Sequence, residues 1–246
     1  WAVASGELVA ALDAGGKALQ AVAFDPLGRF VVAGGNDGLL RVWDANSHAL
    51  LASFGSNHKQ VLFLSFASDG TKLASGGADR VVRVWSPGDW SELQALYGHT
   101  GPTAGIAFSP DGMLLASTSL ESGVRLHRID SGTQVELVVT GPAAAVGFTS
   151  DGQALIVGGA DRSLQRWELP RQSERAQLVG HRASVWQLES SPDGRYLAAA
   201  ASDAMVRVFE LSTRTLVAEL AQSDEAYGVS WSPDGSLLAV AGEWGP

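Results

Sequence analysis

The sequence predicts an all-β protein, a β-propeller of four-stranded antiparallel blades, on three observations. A turn that ends in glycine recurs about every 42 residues, and a strand end rich in Arg and Trp recurs at the same interval. Between these motifs lie short apolar segments separated by turn residues, with no apolar spacing typical of an amphipathic helix. A fixed period of this length is typical of repeat folds, and four strands per period are typical of a propeller blade.

The two motifs keep their spacing along the whole chain. The recurring turn ends at Gly28, Gly70, Gly112, Gly152, Gly194 and Gly235. The recurring strand end falls on Trp43, Trp85, His127, Trp167 and Phe209, and Trp1 lies at the same phase. Because two independent motifs share one period, we interpret residues 1–246 as one repeat domain. The strict period argues against a β-sandwich as the alternative fold.

The second period shows each strand in order. Val61–Phe66 is an apolar first strand, and Ser68-Asp69-Gly70 supplies a tight turn in which glycine can take positive φ. Leu73–Gly77 is the second strand. Val81–Trp85, which alternates apolar and basic residues and is rich in valine, is the third strand. Ser91–Leu96 completes the unit as the fourth strand.

The number of blades depends on how the chain ends are used. Five full strand sets run from residue 17 to residue 220, and Ala226–Trp231 and Leu237–Ala241 add a first and a second strand. Glu7–Leu12 reads as a fourth strand, but most of the third strand between these pieces is missing. A fourth strand without its partner leaves backbone groups unpaired. We therefore expect six blades if the ring closes on itself, and seven or more if this is a segment of a longer chain.

Composition excludes several classes of protein. Hydrophobic residues make up 46% and charged residues 17%, which indicates a folded chain, and the formal net charge is −9. An acidic surface argues against nucleic acid and membrane partners. Cysteine is absent, so disulfides and thiolate chemistry are excluded. The strong preference for Arg over Lys indicates a bacterial source, and we expect a cytoplasmic location.

Several motifs together resemble the WD-repeat family over essentially the whole chain. They are the Ser-Pro-Asp-Gly turn, the Arg-Val-Trp-Asp strand end at 41–44, the Gly-His pairs at 98–99 and 180–181, and the Gly-Gly-x-Asp run at 76–79. The resemblance implies a buried hydrogen-bond network of His, Ser, Asp and Trp. The positions that match this structural network are Ser75, Asp79 and Trp85, with His58 one residue out of register, and His99 and His181 in other repeats. His127, Phe209 and Ala199 depart from the pattern.

Catalysis is not expected from this segment. The predicted first strands, which would line the central channel, contain no His, Lys or Arg, and their carboxylates are Glu189 and Glu225. Hydrolysis or metal binding needs two or three such groups together. Glu189 is interpreted as a solvated residue near a strand end. We expect no catalytic residue, no cofactor and no metal.

The resemblance implies that partners bind at the channel mouth. Trp186 and Tyr227 lie four residues before the end of their first strands, on adjacent blades, and Trp and Tyr are common in binding hot spots. The other rim positions are Gln20, Gln60, Asn36, Ser202, Glu225, Ala78 and Ala160. On the opposite face, Trp90 is a second surface candidate.

We expect a non-enzymatic scaffold or sensor module that binds a protein or peptide, with a basic partner favoured by Glu225, within a multi-subunit assembly. The alternative is the sensing or regulatory domain of a larger enzyme or nucleotide-switch protein.

Overall fold

A computed structural model describes residues 8–55, 59–129, 142–159, 162–169 and 180–242, and the backbone alone of 134–135 and 175–178. Every regular secondary-structure element in these residues is a β-strand, and the strands form six antiparallel sheets. The predicted all-β fold of repeated blades is therefore confirmed. In the ranges that the structure describes, no helix is long and apolar enough to cross a membrane.

The strands group into blades in chain order. Blade 1 contains β1 (Leu19–Phe24), β2 (Phe30–Gly35), β3 (Leu39–Asp44) and β4 (Leu50–Gly55). Blade 2 contains β5 (Val61–Phe66), β6 (Leu73–Gly77), β7 (Val82–Trp85) and β8 (Glu92–Leu96). Blade 3 contains β9 (Thr103–Phe108), β10 (Leu114–Ser119), β11 (Gly123–Arg128) and β12 (Gln134–Val135). Blade 4 contains β13 (Ala143–Phe148), β14 (Ala154–Gly159), β15 (Leu164–Glu168) and β16 (Arg175–Leu178). Blade 5 contains β17 (Val185–Ser190), β18 (Tyr196–Ala201), β19 (Met205–Glu210) and β20 (Thr215–Ala221), and blade 6 contains β21 (Ala226–Trp231) and β22 (Leu238–Gly242).

The recurring glycine makes the turn between the first and second strands. Gly70 has a φ of 66° and Gly112 a φ of 68°, in the left-handed region that a side chain disfavours. The backbone N–H of Gly70 donates to the carbonyl of Ala67 at 2.9 Å, which closes the turn. This geometry explains why the same residue returns once in every repeat.

The first strand of every blade contains a β-bulge near its start. In β5, Val61 pairs with Gly77 and Phe63 pairs with Gly76, so Leu62 is the additional residue. The bulge explains the second glycine of the Gly76-Gly77 pair, because a Cβ at Gly77 would overlap the carbonyl oxygen of Gln60, whereas a Cβ at Gly76 would meet Ile106 and Thr103 of blade 3. The additional residues of the six first strands, which we call the bulge residues, are Gln20, Leu62, Ala104, Ala144, Trp186 and Tyr227.

Neighbouring blades pack through two different faces. Between blades 1 and 2, the core contains Val32 and Leu40 from blade 1 and Leu73 and Trp85 from blade 2. We call the face toward the next blade the forward face, and the face toward the preceding blade the backward face. The same pairing joins blade 5, through Ala198 and its neighbours, to blade 6. The hydrophobic core is thus a series of inter-blade layers.

Polar pairs lock the turn between the second and third strands. The carboxylate of Asp79 accepts from Arg83 at 2.7 Å, and Trp85 Nε1 donates to Ser75 Oγ at 2.9 Å. His58 lies outside the described residues. Equivalent Asp–Arg pairs at an interval of four residues join Asp37 to Arg41 and Asp203 to Arg207.

The two Gly-His histidines have different partners. The ring of His99 lies between two hydroxyls, 2.7 Å from Ser117 Oγ and 2.8 Å from Ser122 Oγ. In blade 5, Ala199 occupies the position of Ser117, and His181 Nδ1 lies 3.0 Å from Arg207 Nη1 instead. The Ser117 hydroxyl bonds Nε2 of His99, so its loss in blade 5 leaves His181 Nε2 without a hydrogen-bond partner among the described residues, and the guanidinium group lies on the Nδ1 side.

Two expectations from the sequence are wrong. Residues 8–12, in the segment expected to form a fourth strand, are not extended into a strand, because blade 6 has no third strand among the described residues to pair with them. Trp90 is not a free surface residue. Its ring is half-buried against Phe30 and Phe54 of blade 1, at centroid distances of 5.2 and 6.1 Å.

Candidate functional site

The first strands surround one central channel. A cavity of about 350 Å³ is lined by residues of all six first strands. Five of the six bulge residues contribute to its wall, namely Gln20, Leu62, Ala104, Trp186 and Tyr227. A bulge redirects a side chain relative to the regular alternation of a strand, and here it aims one residue per blade at the channel.

A second cavity lies at the same end of the channel and forms its mouth. Its volume is about 540 Å³, and the same five bulge residues line it. Loop residues of blades 2 and 3 complete the wall, including Pro102, Leu120 and Glu121. Most of the lining is apolar, and the Glu121 side chain supplies a carboxylate at its edge. The mouth is therefore an apolar depression with an acidic group beside it.

Trp186 and Tyr227 form an aromatic pair on adjacent blades. Their ring centroids are 6.2 Å apart and the rings are tilted by 49°. Trp186 is half-buried, whereas Tyr227 is 43% exposed. An aromatic surface that is held in place but still accessible is the kind of group that dominates binding energy at interfaces.

Neighbouring polar side chains orient two of the bulge residues. Trp186 Nε1 donates to Ser202 Oγ at 2.5 Å, and Gln20 Nε2 donates to Asn36 Oδ1 at 3.1 Å. Both pairs join the bulge residue to the residue that follows the second strand, 16 positions later. Ser202 and Asn36 thus act by positioning Trp186 and Gln20 at the mouth.

The remaining rim candidates lie away from the cavity wall. Gln60 is exposed, and its backbone carbonyl accepts from the N–H of Ala78 at 3.0 Å. Glu225 is half-buried and, like Gln60, is not among the residues that line the two cavities. Ala160 lies outside the described residues.

Leu120 and Glu121 line the mouth but were not among the rim positions predicted from the sequence. Leu120 follows the second strand of blade 3, as Asn36 and Ser202 follow theirs, and it is 43% exposed. Glu121 takes the position that Asp79 has in blade 2. The repeat alignment could have found both residues, but blade 3 lacks the Asp that marks this loop elsewhere.

Glu189 is not the solvated residue that the sequence indicated. Its carboxylate accepts from the backbone N–H of Trp231 at 3.1 Å and from Ser230 Oγ at 3.4 Å, both in β21. Nearby, Gln187 Oε1 accepts from the N–H of Val229 at 3.3 Å. Burial raises the pKa of the Glu189 carboxyl, and the two hydrogen bonds oppose this shift. These side chains bind the exposed backbone edge of blade 6 to blade 5.

Replacing Glu189 by glutamine is expected to leave stability at neutral pH unchanged or higher. Glutamine keeps an acceptor for the Trp231 N–H and removes the half-buried charge. Because the pKa of Glu189 is raised in the folded protein, the wild-type carboxyl lowers the free energy of unfolding as pH rises through that pKa. Urea unfolding at several pH values measures this slope, which Glu189→Gln should remove.

The matched control is Glu189→Ala, which also removes the acceptor. It should cost about 1–3 kcal/mol, the range for leaving a buried donor unpaired. Equal stability of the alanine and glutamine variants would show that the bonds to β21 do not stabilise blade 6.

The polar groups of the mouth are suited to orienting a bound partner. In the parts of the chain that the structure describes, no group of three His, Asp or Glu side chains could hold a metal ion. The polar groups at the mouth are the bonded amides of Gln20 and Asn36, the indole N–H of Trp186 with the Ser202 hydroxyl that accepts from it, and the carboxylate of Glu121. Such a surface can anchor an apolar side chain and orient the backbone or charge beside it.

Several known proteins are similar to parts of the chain. The WD repeat-containing protein VIP3 of Arabidopsis thaliana is 33% identical over 102 residues, which are 41% of this chain and 32% of that protein. The small ribosomal subunit protein RACK1 of Schizosaccharomyces pombe is 32% identical over 109 residues, covering 40% of this chain and 34% of that protein. Coronin-7 of Mus musculus is 27% identical over 135 residues, covering 50% of this chain and 15% of that protein. These relatives are eukaryotic and do not support the bacterial source indicated by composition.

The match to these relatives is partial, whereas the match to a family is nearly complete. The chain spans about a third or less of the length of the curated relatives named above. The family described as "IFT122 first beta-propeller" matches residues 18–245. This match extends from blade 1 to blade 6, and it agrees with the six sheets and the repeated turn. The chain belongs to the WD-repeat β-propeller family.

Proposed function

We propose that this protein is an interaction platform that binds a protein or peptide over the channel mouth. The observation that carries the proposal is the Trp186–Tyr227 pair, two large aromatic rings 6.2 Å apart on the wall of an apolar cavity. Relatives with WD repeats, among them RACK1 and the Drosophila melanogaster protein groucho, support a scaffold role. The rigid blades hold the rings in place, so little conformational entropy is lost when a partner docks.

The partner presents an apolar side chain next to a basic one. Leu62, Leu120 and the two aromatic rings offer an apolar surface to the first of these. Glu121, on the cavity wall, offers a carboxylate that can accept paired hydrogen bonds from a guanidinium group. The net charge of −9 also attracts a cationic partner during diffusion.

Truncation of the aromatic pair is expected to weaken binding strongly. Peptides selected from a random library against the wild-type protein serve as the probe, and fluorescence anisotropy measures their affinity. Trp186→Ala or Tyr227→Ala should weaken binding roughly thirtyfold or more, since a hot-spot side chain contributes about 2 kcal/mol or more. The melting temperature of Tyr227→Ala should change little, because that ring is 43% exposed.

Met113 provides the control on the opposite end of the blades. It lies in the turn between β9 and β10 and is 42% exposed, so Met113→Ala tests a surface remote from the mouth. We expect no loss of affinity from this change. Selected peptides that keep full affinity for both aromatic variants but lose it with Met113→Ala would place the binding face at the other end of the channel.

A further inference from the structure

Gln187 is a polar side chain on the wall of the channel. It directly follows the bulge residue Trp186 on β17, it is exposed, and it lines the cavity of about 350 Å³. The residues that follow the other bulge residues are apolar or have no side chain, namely Ala21, Phe63, Gly105, Ala145 and Gly228. At this level of the channel, blade 5 alone therefore presents an amide.

The oxygen of this amide is bonded to blade 6. Gln187 Oε1 accepts from the backbone N–H of Val229 at 3.3 Å, and Gly228 leaves room for the approach, since a Cβ there would lie 3.2 Å from the same oxygen. Within the part of the chain that the structure describes, no group accepts a hydrogen bond from Gln187 Nε2. An amide nitrogen carries two N–H donors. With its oxygen engaged, Gln187 offers donors to the channel.

The charges around the channel favour an uncharged guest. Among the described residues, no charged side chain lines the channel cavity, whereas Glu121 lines the mouth. Lysine and arginine side chains have donors but no acceptor, so they cannot accept from Gln187 Nε2, and their burial without a carboxylate is costly. A guest carboxylate would enter a protein of net charge −9, with Glu189 two residues along the same strand. The group that fits is therefore a neutral acceptor.

We propose that the partner inserts a glutamine side chain through the mouth into the channel, and that Gln187 selects it. This inference rests on the proposed binding at the mouth. The mouth and the channel are continuous, because Leu62, Trp186 and Tyr227 line both cavities. The methylene groups of the guest pack on the apolar wall, its carbonyl accepts from Gln187 Nε2, and the basic residue of the partner stays at the rim beside Glu121.

The donors of Gln187 also reject apolar guests. A side chain without an acceptor would separate the Nε2 N–H groups from water and leave them unpaired. A site with a buried polar group discriminates in this way against an analogue that lacks the matching group. The selectivity of the channel for an amide therefore depends on Gln187.

Peptides selected from a random library against the wild-type protein are the probe, and we expect them to share a glutamine. Methionine is similar in size to glutamine but has no amide. In fluorescence anisotropy, a glutamine-to-methionine change in the peptide should weaken binding roughly tenfold, and arginine or glutamate at this position should weaken it as well. Trp186→Ala in the protein should weaken binding of the glutamine peptide, because that peptide occupies the mouth.

Gln187→Glu separates selection from a structural role. Glutamate keeps an oxygen for the Val229 N–H but replaces the donors by a second carboxylate oxygen. The order of affinities should therefore reverse, with the arginine peptide bound more tightly than the glutamine peptide. A purely structural role would weaken all peptides by the same factor without reordering them. The matched control is Gln153→Glu, in the exposed turn between β13 and β14, which should keep the wild-type order.

The outcomes distinguish this inference from the proposed function. Peptides that lose affinity with Trp186→Ala but show no preference for glutamine would overturn the role of Gln187 and leave binding at the mouth intact. The same conclusion would follow if Gln187→Glu kept the wild-type order of affinities. Peptides whose affinity does not change with Trp186→Ala would overturn both proposals.

Discussion

Trp85→Ala is expected to lower the free energy of unfolding by about 3–5 kcal/mol, the range for emptying a large aromatic site in a core. The Trp85 side chain is 4% exposed and packs between two blades, with its ring centroid 5.1 Å from that of Phe54. The substitution also removes the hydrogen bond to Ser75 Oγ. Urea unfolding monitored by far-UV circular dichroism measures the effect. Trp43→Ala should have a loss of similar size, since Trp43 is 3% exposed.

Phe209→Trp is the matched control for these changes. Phe209 takes the tryptophan position in blade 5 and is 1% exposed, so a larger ring must displace its neighbours. The expected cost is about 1–3 kcal/mol, as for other overpacked cores, and therefore smaller than that of Trp85→Ala. Equal losses in the two variants would contradict the assignment of these residues to one repeat position.

Acidification from pH 6.5 to pH 4 is expected to destabilise the protein by several kcal/mol. Burial lowers the pKa of His99, His127 and His181 to about 4, with the guanidinium groups of Arg125 and Arg207 adding to the effect. Because the folded pKa lies below the ordinary value, the unfolded chain binds protons that the folded chain does not. The stability that these neutral histidines contribute is therefore fully present above pH 6.5. It is lost as pH falls toward 4, by up to about 3 kcal/mol per histidine.

His127→Phe tests this origin of the acid sensitivity. Phenylalanine already fills the equivalent position in blade 5, and the substitution removes one of the three buried titrating rings. The loss of stability between pH 6.5 and 4 should shrink by roughly a third, measured by urea unfolding at closely spaced pH values. Trp43→Phe changes the core at the same repeat position in blade 1, whose described part contains no buried histidine, so its slope should match the wild type. An unchanged pH dependence of stability in His127→Phe would refute the assignment of the acid sensitivity to the buried histidines.

Sequence reasoning predicted the blade because its signals are local. The strand limits of blade 2 agree with the expectation to within one residue, since glycine turns and alternating apolar residues act over a few positions. The same repeat alignment placed Trp186, Tyr227 and Gln20 at one level of the first strand. The structure shows that this level is a β-bulge on the channel wall.

The tertiary structure decided what depends on neighbouring repeats. Glu189 looks solvated in its own strand but is half-buried because β21 lies against it, and Trp90 looks exposed in its own turn but packs on blade 1. Phe24 is 69% exposed, whereas Phe108 and Phe148, which have the same identity and the same repeat position, are 9% and 7% exposed. The sequence by itself determined the repeat, its strands and its rim positions, because these follow from short-range backbone preferences. Burial and pairing across blades were decided by the tertiary structure, because they join residues about 42 positions apart whose contact no local pattern encodes.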